Sequence, residues 1–293
     1  MDQFKIGIYS VVSSNDKNDW HLKYSSKSDE KFLKFIVFGD WGRKGAFNQS
    51  HVAEQMGYYC QNFGCDFAIS TGDNFYQEGV KSVDDPLFKE SFENVYKHES
   101  LQKIPFLSVL GNHVGNFDFR VQFLFFDTNP FIHKYYTHPK MNKEALHKTR
   151  DIRAQKKYME TNVNEFATDD KKSDIPLWKI AIGHHPFYSA STHGDNENLI
   201  EHLLPFLRKN DIRYYFSGHD HSIQYLKPYD TLNHFISGAG SAVRFDVSNH
   251  HPYLKKFQQE SGFIYIRLSS NIMELSFVNL FGRVTERIKI PRE

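Results

Sequence analysis

Cysteine is nearly absent from this 293-residue chain: Cys60 and Cys65 are the whole supply, too few for a disulfide framework. As a pair they read as small buried residues, with one local bridge as the alternative. An excess of either charge is also missing. With 36 Lys and Arg against 35 Asp and Glu, the formal charge is +1, which removes the basic footprint expected of a nucleic-acid binder. Long apolar runs are lacking, and none approaches the roughly 18–20 residues of a membrane-spanning helix. The first apolar stretch, Phe4 to Val12, is interrupted by Lys5, and no small-residue cleavage site stands out after it, so it makes a poor secretory leader. What the chain does have is aromatic and imidazole groups. Phe alone numbers 27 and His 16, against 24% charged residues, a composition that argues for a globular fold and against disorder.

Residues 1–34 are polar and weakly patterned and read as an N-terminal arm; residues 35–293 read as a single domain. Within it, short apolar runs alternate with helical patterns. Phe35–Phe38, Phe67–Ser70, Phe106–Leu110, Val121–Phe126, Trp178–Ile182 and Ile212–Phe216 are strand candidates. Asn48–Phe63, Pro86–Tyr96 and Asn196–Arg208 are helix candidates, and the Lys-rich middle carries a solvated helix around Asp151–Phe166. From His234 the tail alternates in short pieces, as an antiparallel meander does. The expected fold is α/β: two packed mixed β-sheets flanked by helices.

The polar residues collect just past the strands. Gly39-Asp40 follows the first, Gly72-Asp73 the second and Gly111-Asn112-His113 the third; Gly183-His184-His185 and Gly218-His219-Asp220-His221 follow two later ones. In open α/β sheets, ligands bind beyond the carboxyl ends of the strands. One Gly-Asp is usually only a turn, but five ends delivering Asp, Asn or His after glycine describe a ligand set. Carboxylate, amide and imidazole without cysteine suit first-row metals, and their number suits two ions better than one.

Taken together, Gly39-Asp40-Trp41-Gly42, Gly72-Asp73-Asn74-Phe75-Tyr76, Gly111-Asn112-His113, Gly183-His184-His185-Pro186 and Gly218-His219-Asp220-His221 resemble the five ordered blocks of the purple acid phosphatases, calcineurin-like metallophosphoesterases. The small single-domain, tartrate-resistant-like branch is the nearer match, and it implies a four-layer α/β/β/α sandwich. The resemblance assigns a first metal to Asp40, Asp73, Tyr76 and His221 and a second to Asp73, Asn112, His184 and His219, with Asp73 bridging. It implies Fe(III) at the first site, where the Tyr76 phenolate favours a hard trivalent ion, and Fe(II), Zn(II) or Mn(II) at the second. His113 and His193 match positions that hold phosphate and protonate the leaving group. The implied activity is hydrolysis of phosphate monoesters, small or on phosphoproteins, by a metal-bound hydroxide at acid pH. The implied setting is the secretory pathway, secreted or lysosomal and vacuolar.

The chain departs from that pattern in two places. Val114 stands where the family usually has an acidic residue beside the Gly-Asn-His histidine, and Asp127 follows Asn112 by only 15 residues, a shorter segment than the family's. These departures support a second reading, a phosphatase-like scaffold that binds a partner without catalysis. A phosphodiesterase or nucleotide hydrolase on the same metals is a third.

Overall fold

The structure, a computed structural model, describes residues 32–76, 80, 85–108, 120–137, 156–157, 159–160, 163, 177–229, 231–244 and 250–292. The strands are β1 (Leu33–Phe38), β2 (Phe67–Ser70), β3 (Phe106–Ser108), β4 (Arg120–Phe126), β5 (Leu177–Gly183), β6 (Tyr214–Ser217), β7 (Ile223–Tyr229), β8 (Leu232–Ser237), β9 (Leu254–Gln258), β10 (Gly262–Leu268), β11 (Ile272–Asn279) and β12 (Val284–Pro291). They form two mixed six-stranded sheets, ordered β12-β11-β10-β1-β2-β3 and β4-β5-β6-β8-β7-β9. β1, β2 and β3 run parallel, as do β4, β5, β6 and β8, so the carboxyl ends of each set point the same way.

Period-2 alternation explains the layering. Phe35 and Val37 of β1 enter a core between the sheets with Ile69, Phe123, Phe125, Ile180, Ile182, Phe216 and Phe235. The intervening Ile36 and Phe38 face outward onto Val52 and Met56 of helix α1 (Gln49–Phe63). Beneath the same face lie α2 (Glu99–Gln102) and a π-helical turn at Phe88–Glu93. A short α3 (His133–Thr137) follows β4. On the far side, Leu124, Phe126, Ala181 and Tyr215 pack against Leu199, Leu203 and Leu207 of α4 (Glu197–His202) and α5 (Leu204–Lys209) and their junction. The order is helix, sheet, sheet, helix. Phenylalanine supplies much of this by edge contact; Phe35 and Phe67 both meet Phe123 at nearly right angles.

Several sequence expectations are corrected. Cys60 and Cys65 are a disulfide, not a pair of free core thiols, and join the end of α1 to the approach to β2. The pattern over Asn196–Arg208 is two helices broken at Leu203, because Pro205 has no N–H to continue the ladder. Pro86–Tyr96 yields only the π-helical turn. The tail is a meander only over β10, β11 and β12; β8 lies parallel to β6, and β9 pairs with β7 in the other sheet. β7 carries Lys227 and Pro228, which hid it. In the Lys-rich middle, helical residues include Met159 and Val163, both buried in the outer core, so that helix is docked rather than wholly solvated. β1 opens at Leu33, two residues inside the expected arm.

Candidate metal centre

The loops after β1, β2, β5 and β6 meet at one edge of the sandwich. They are stitched by backbone bonds: Asp40 N–H to Gly72 O (3.0 Å), Thr71 N–H to Phe38 O (2.8 Å) and Gly218 N–H to His184 O (2.9 Å). Asp40, Asp73 and His219 all adopt left-handed backbone, with φ of 59°, 47° and 68°. Non-glycine residues hold that conformation only where the surroundings over-determine it, and it clusters at functional sites. Two glycines make room. Gly72 has φ 107°, and a Cβ there would lie 2.6 Å from His184 Nδ1; a Cβ on Gly218 would lie 2.5 Å from Asp40 Oδ2.

Six of the expected residues converge here. The Tyr76 hydroxyl donates to Asp73 Oδ2 (2.8 Å), approaches Asp40 Oδ1 (3.1 Å) and lies 3.2 Å from His221 Nε2. His221 Nε2 is 3.5 Å from Asp40 Oδ1. Across Asp73, its Oδ1 meets His184 Nε2 at 3.2 Å, and His184 Nε2 in turn meets His219 Nδ1 at 3.3 Å. Asp73 thus touches both halves of the cluster, one with Asp40, Tyr76 and His221 and one with His184 and His219. Asp40 is wholly buried and accepts the His219 backbone N–H at 2.9 Å. His193 stacks on His219, ring centroids 4.2 Å apart, at the solvent edge. Asn112 and His113, like Val114, lie outside the described residues.

The electrostatics follow from burial. Burial disfavours the cation on His184, but the Asp73 and Asp40 carboxylates, with the Thr71 carbonyl on Nδ1 at 3.1 Å, together raise its pKa. That hydrogen bond occupies Nδ1 and leaves Nε2 facing Asp73, the arrangement a metal-ligating histidine uses. His219 is pushed far down by burial and then by its imidazole neighbours, so it stays neutral. Partial burial lowers His193, with Asp220 opposing and Arg244 assisting. Burial raises the Tyr76 phenol, and the Asp40 and Asp73 charges add to it while Arg43 opposes them.

Some contributors were not legible in the sequence. His185, unassigned there, is held through Nδ1 by Thr128 Oγ1 (2.8 Å) and through Nε2 by the Tyr135 hydroxyl (2.7 Å). Its ring lies 4.5 Å from that of His219 and forms the wall behind it. Burial, followed by the His184 charge, keeps it neutral. Asp220 Oδ1 accepts the His193 backbone N–H at 3.4 Å and so positions that loop. For Asp220 the only sequence clue was its place inside the Gly218-His219-Asp220-His221 block.

The residues fit a pair of cations. Among the described residues, Asp40, Asp73 and His184 place one ligand atom each within 4.8 Å of one another, as do His184, His185 and His219, although both His185 nitrogens are already engaged by Thr128 and Tyr135. Oxygen and nitrogen donors without sulfur suit hard and borderline first-row ions.

The calcineurin-like phosphoesterase profile matches residues 33–222, nearly two-thirds of the chain, and this chain belongs to that family. Within it the relatives are purple acid phosphatases. The chain is 37% identical to purple acid phosphatase 17 of Arabidopsis thaliana over 94% of its own length and 89% of the relative's. It is 36% identical to purple acid phosphatase 7 of the same plant, over 91% and 88%. Human tartrate-resistant acid phosphatase type 5 is 28% identical over 89% of this chain and 91% of the relative. The fold recurs in GAP50, described as the anchor in the inner membrane complex of Plasmodium, with a TM-score of 0.70 at 22% identity and 90% coverage of both chains. It recurs again in the purple acid phosphatase PPD1 of yellow lupin, with a TM-score of 0.61 at 12% identity over 90% of this chain and 55% of that one. Family and relatives define the activity as that of a metal-dependent acid phosphatase, a phosphomonoester hydrolase. Among the described residues no helix is long and apolar enough to cross a membrane.

Proposed function

We propose that Asp40, Asp73, Tyr76 and His221 hold a ferric ion, and that Asp73, Asn112, His184 and His219 hold Fe(II), Zn(II) or Mn(II) beside it. One observation carries this reading: the Tyr76 hydroxyl stands within 3.2 Å of Asp40, Asp73 and His221, groups delivered by three different strand ends. Bound there, the two cations would supply Lewis acidity toward a phosphoryl group and acidify a water. The protein's own work is orientation and proton transfer. Asp40, buried, anchors the His219 backbone; Thr71 O fixes the His184 tautomer; His185, pinned at both nitrogens, backs His219. His193, at the open edge and stacked on His219, is the proton donor to the leaving alkoxide within reach of solvent and substrate, with His113 its partner.

Substrates in this reading are small phosphomonoesters or phosphoproteins. The Cys60–Cys65 disulfide favours an oxidising compartment, which agrees with a secreted or lysosomal and vacuolar setting. The test is hydrolysis of an aryl phosphomonoester and an aryl phosphodiester by the protein loaded with iron and zinc. The monoester is turned over faster, with an acid optimum, and chelation abolishes it. Two bound metals with no turnover would establish the scaffold reading; preference for the diester would establish the phosphodiesterase.

A further inference from the structure

Arg43 lies on the loop leaving β1, three residues past Asp40, and the metal-binding scheme makes no use of it. Its backbone N–H donates to Gln49 Oε1 (3.0 Å), and its Nε donates to Ser241 Oγ (3.1 Å). Ser241 Oγ in turn donates to the Asp40 carbonyl (2.5 Å). On the other side, the Tyr76 N–H donates to Gly42 O (2.8 Å), which ties the two loops together. The result is a guanidinium seated on the face of the Tyr76 ring, Cζ 3.7 Å from the centroid, with the Phe47 ring 5.3 Å from the same carbon. A cation on an aromatic face is attracted to its electrons, the more so when the ring is electron-rich. A phenolate is richer than a phenol.

We infer that Arg43 tunes the electronic state of the iron bound through Tyr76. This rests on the reading that Tyr76 ligates Fe(III). The guanidinium stands closer to the ring than to any ion beyond the phenol oxygen, so its field lowers the phenolate donor orbitals more than the metal acceptor orbitals. The gap for phenolate-to-iron charge transfer widens, and the visible band moves to shorter wavelength. The same positive charge makes the ferric ion easier to reduce. Arg43 is therefore a positioning residue that sets colour and potential; it does not touch the reacting atoms.

The experiment compares iron-loaded parent, Arg43→Met, Arg43→Lys and Tyr76→Phe by visible absorption, iron content and reduction potential. Arg43 is only partly buried and its side chain makes one hydrogen bond among the described residues, so both variants at that position retain the fold. Arg43→Met moves the band to longer wavelength by roughly 10–20 nm, as a cation–π contact of ordinary strength implies, and makes the potential more negative. Arg43→Lys, which keeps the charge but loses the planar fit, falls between that variant and the parent. Tyr76→Phe abolishes the band. If Tyr76→Phe bleaches the protein while Arg43→Met leaves band and potential unchanged at full iron content, the role of Arg43 is overturned and Tyr76 remains a ligand. If the iron-loaded Tyr76→Phe protein keeps its band, the ligand reading fails and the inference falls with it.

Discussion

His234 lies wholly buried on β8, its ring packed against Tyr215 and Phe187 and its Nε2 3.2 Å from Ser217 Oγ. Nδ1 has no hydrogen-bond partner among the described residues, and burial followed by the His251 charge lowers its pKa to about 3. In the unfolded chain the same imidazole titrates near 6.5. Between those values the unfolded state binds a proton that the folded state refuses. His234 therefore costs nothing above about pH 6.5 and removes about 1.4 kcal/mol of stability per pH unit as pH falls toward 3. His234→Phe keeps the ring packing and removes the titration. Its Tm should fall less steeply than the parent's between pH 6.5 and 4.5; parallel Tm–pH curves would refute this account. The residues at the strand ends were readable in the sequence because chemistry demands their type and a glycine marks each turn. His185, Arg43 and His234 were not, because each acts through what its side chain packs against, and that is settled only when distant segments meet.

At the scale of elements, α1 carries Gly57 where alanine would ordinarily suit a helix better by about 1 kcal/mol. Here the sign reverses. A Cβ on Gly57 would sit 2.3 Å from His98 Cγ, and His98 caps α2 through Ser100 N while Ser100 Oγ donates to Gly57 O. Gly57→Ala should destabilise by roughly 1–3 kcal/mol, and adding His98→Ala should recover part of the loss. Urea midpoints of the single and double variants decide it; a stabilised single variant would show that propensity wins. The same helix ends in the Cys60–Cys65 bridge. Closing so small a loop is worth about 2 kcal/mol, so the double serine variant should unfold at correspondingly lower denaturant. Strands such as β1, β2 and β4 were legible from apolar runs that only a two-sided buried sheet explains. The bridge was not, since two cysteines five apart are equally compatible with burial, and β7 was masked by Lys227 and Pro228, which break the apolar pattern.

Across the whole molecule, one edge gathers the carboxyl ends of strands from both sheets: β1 and β2 from the first, β5 and β6 from the second. The centre therefore spans the seam of the sandwich, and its geometry depends on how the two sheets register through the Phe-rich core. Asp73 occupies the seam itself, bonded to Tyr76 on one side and in contact with His184 on the other. Asp40 also reaches across, but only to the His219 backbone N–H, whereas Asp73 meets the side chains of Tyr76 and His184, and it is therefore the proposed bridging ligand. Metal content of purified Asp73→Ala against the parent is the most direct test. The account predicts two metal equivalents in the parent and near zero in Asp73→Ala, with phosphatase activity lost alongside them. Two full equivalents retained by a folded Asp73→Ala protein would contradict it.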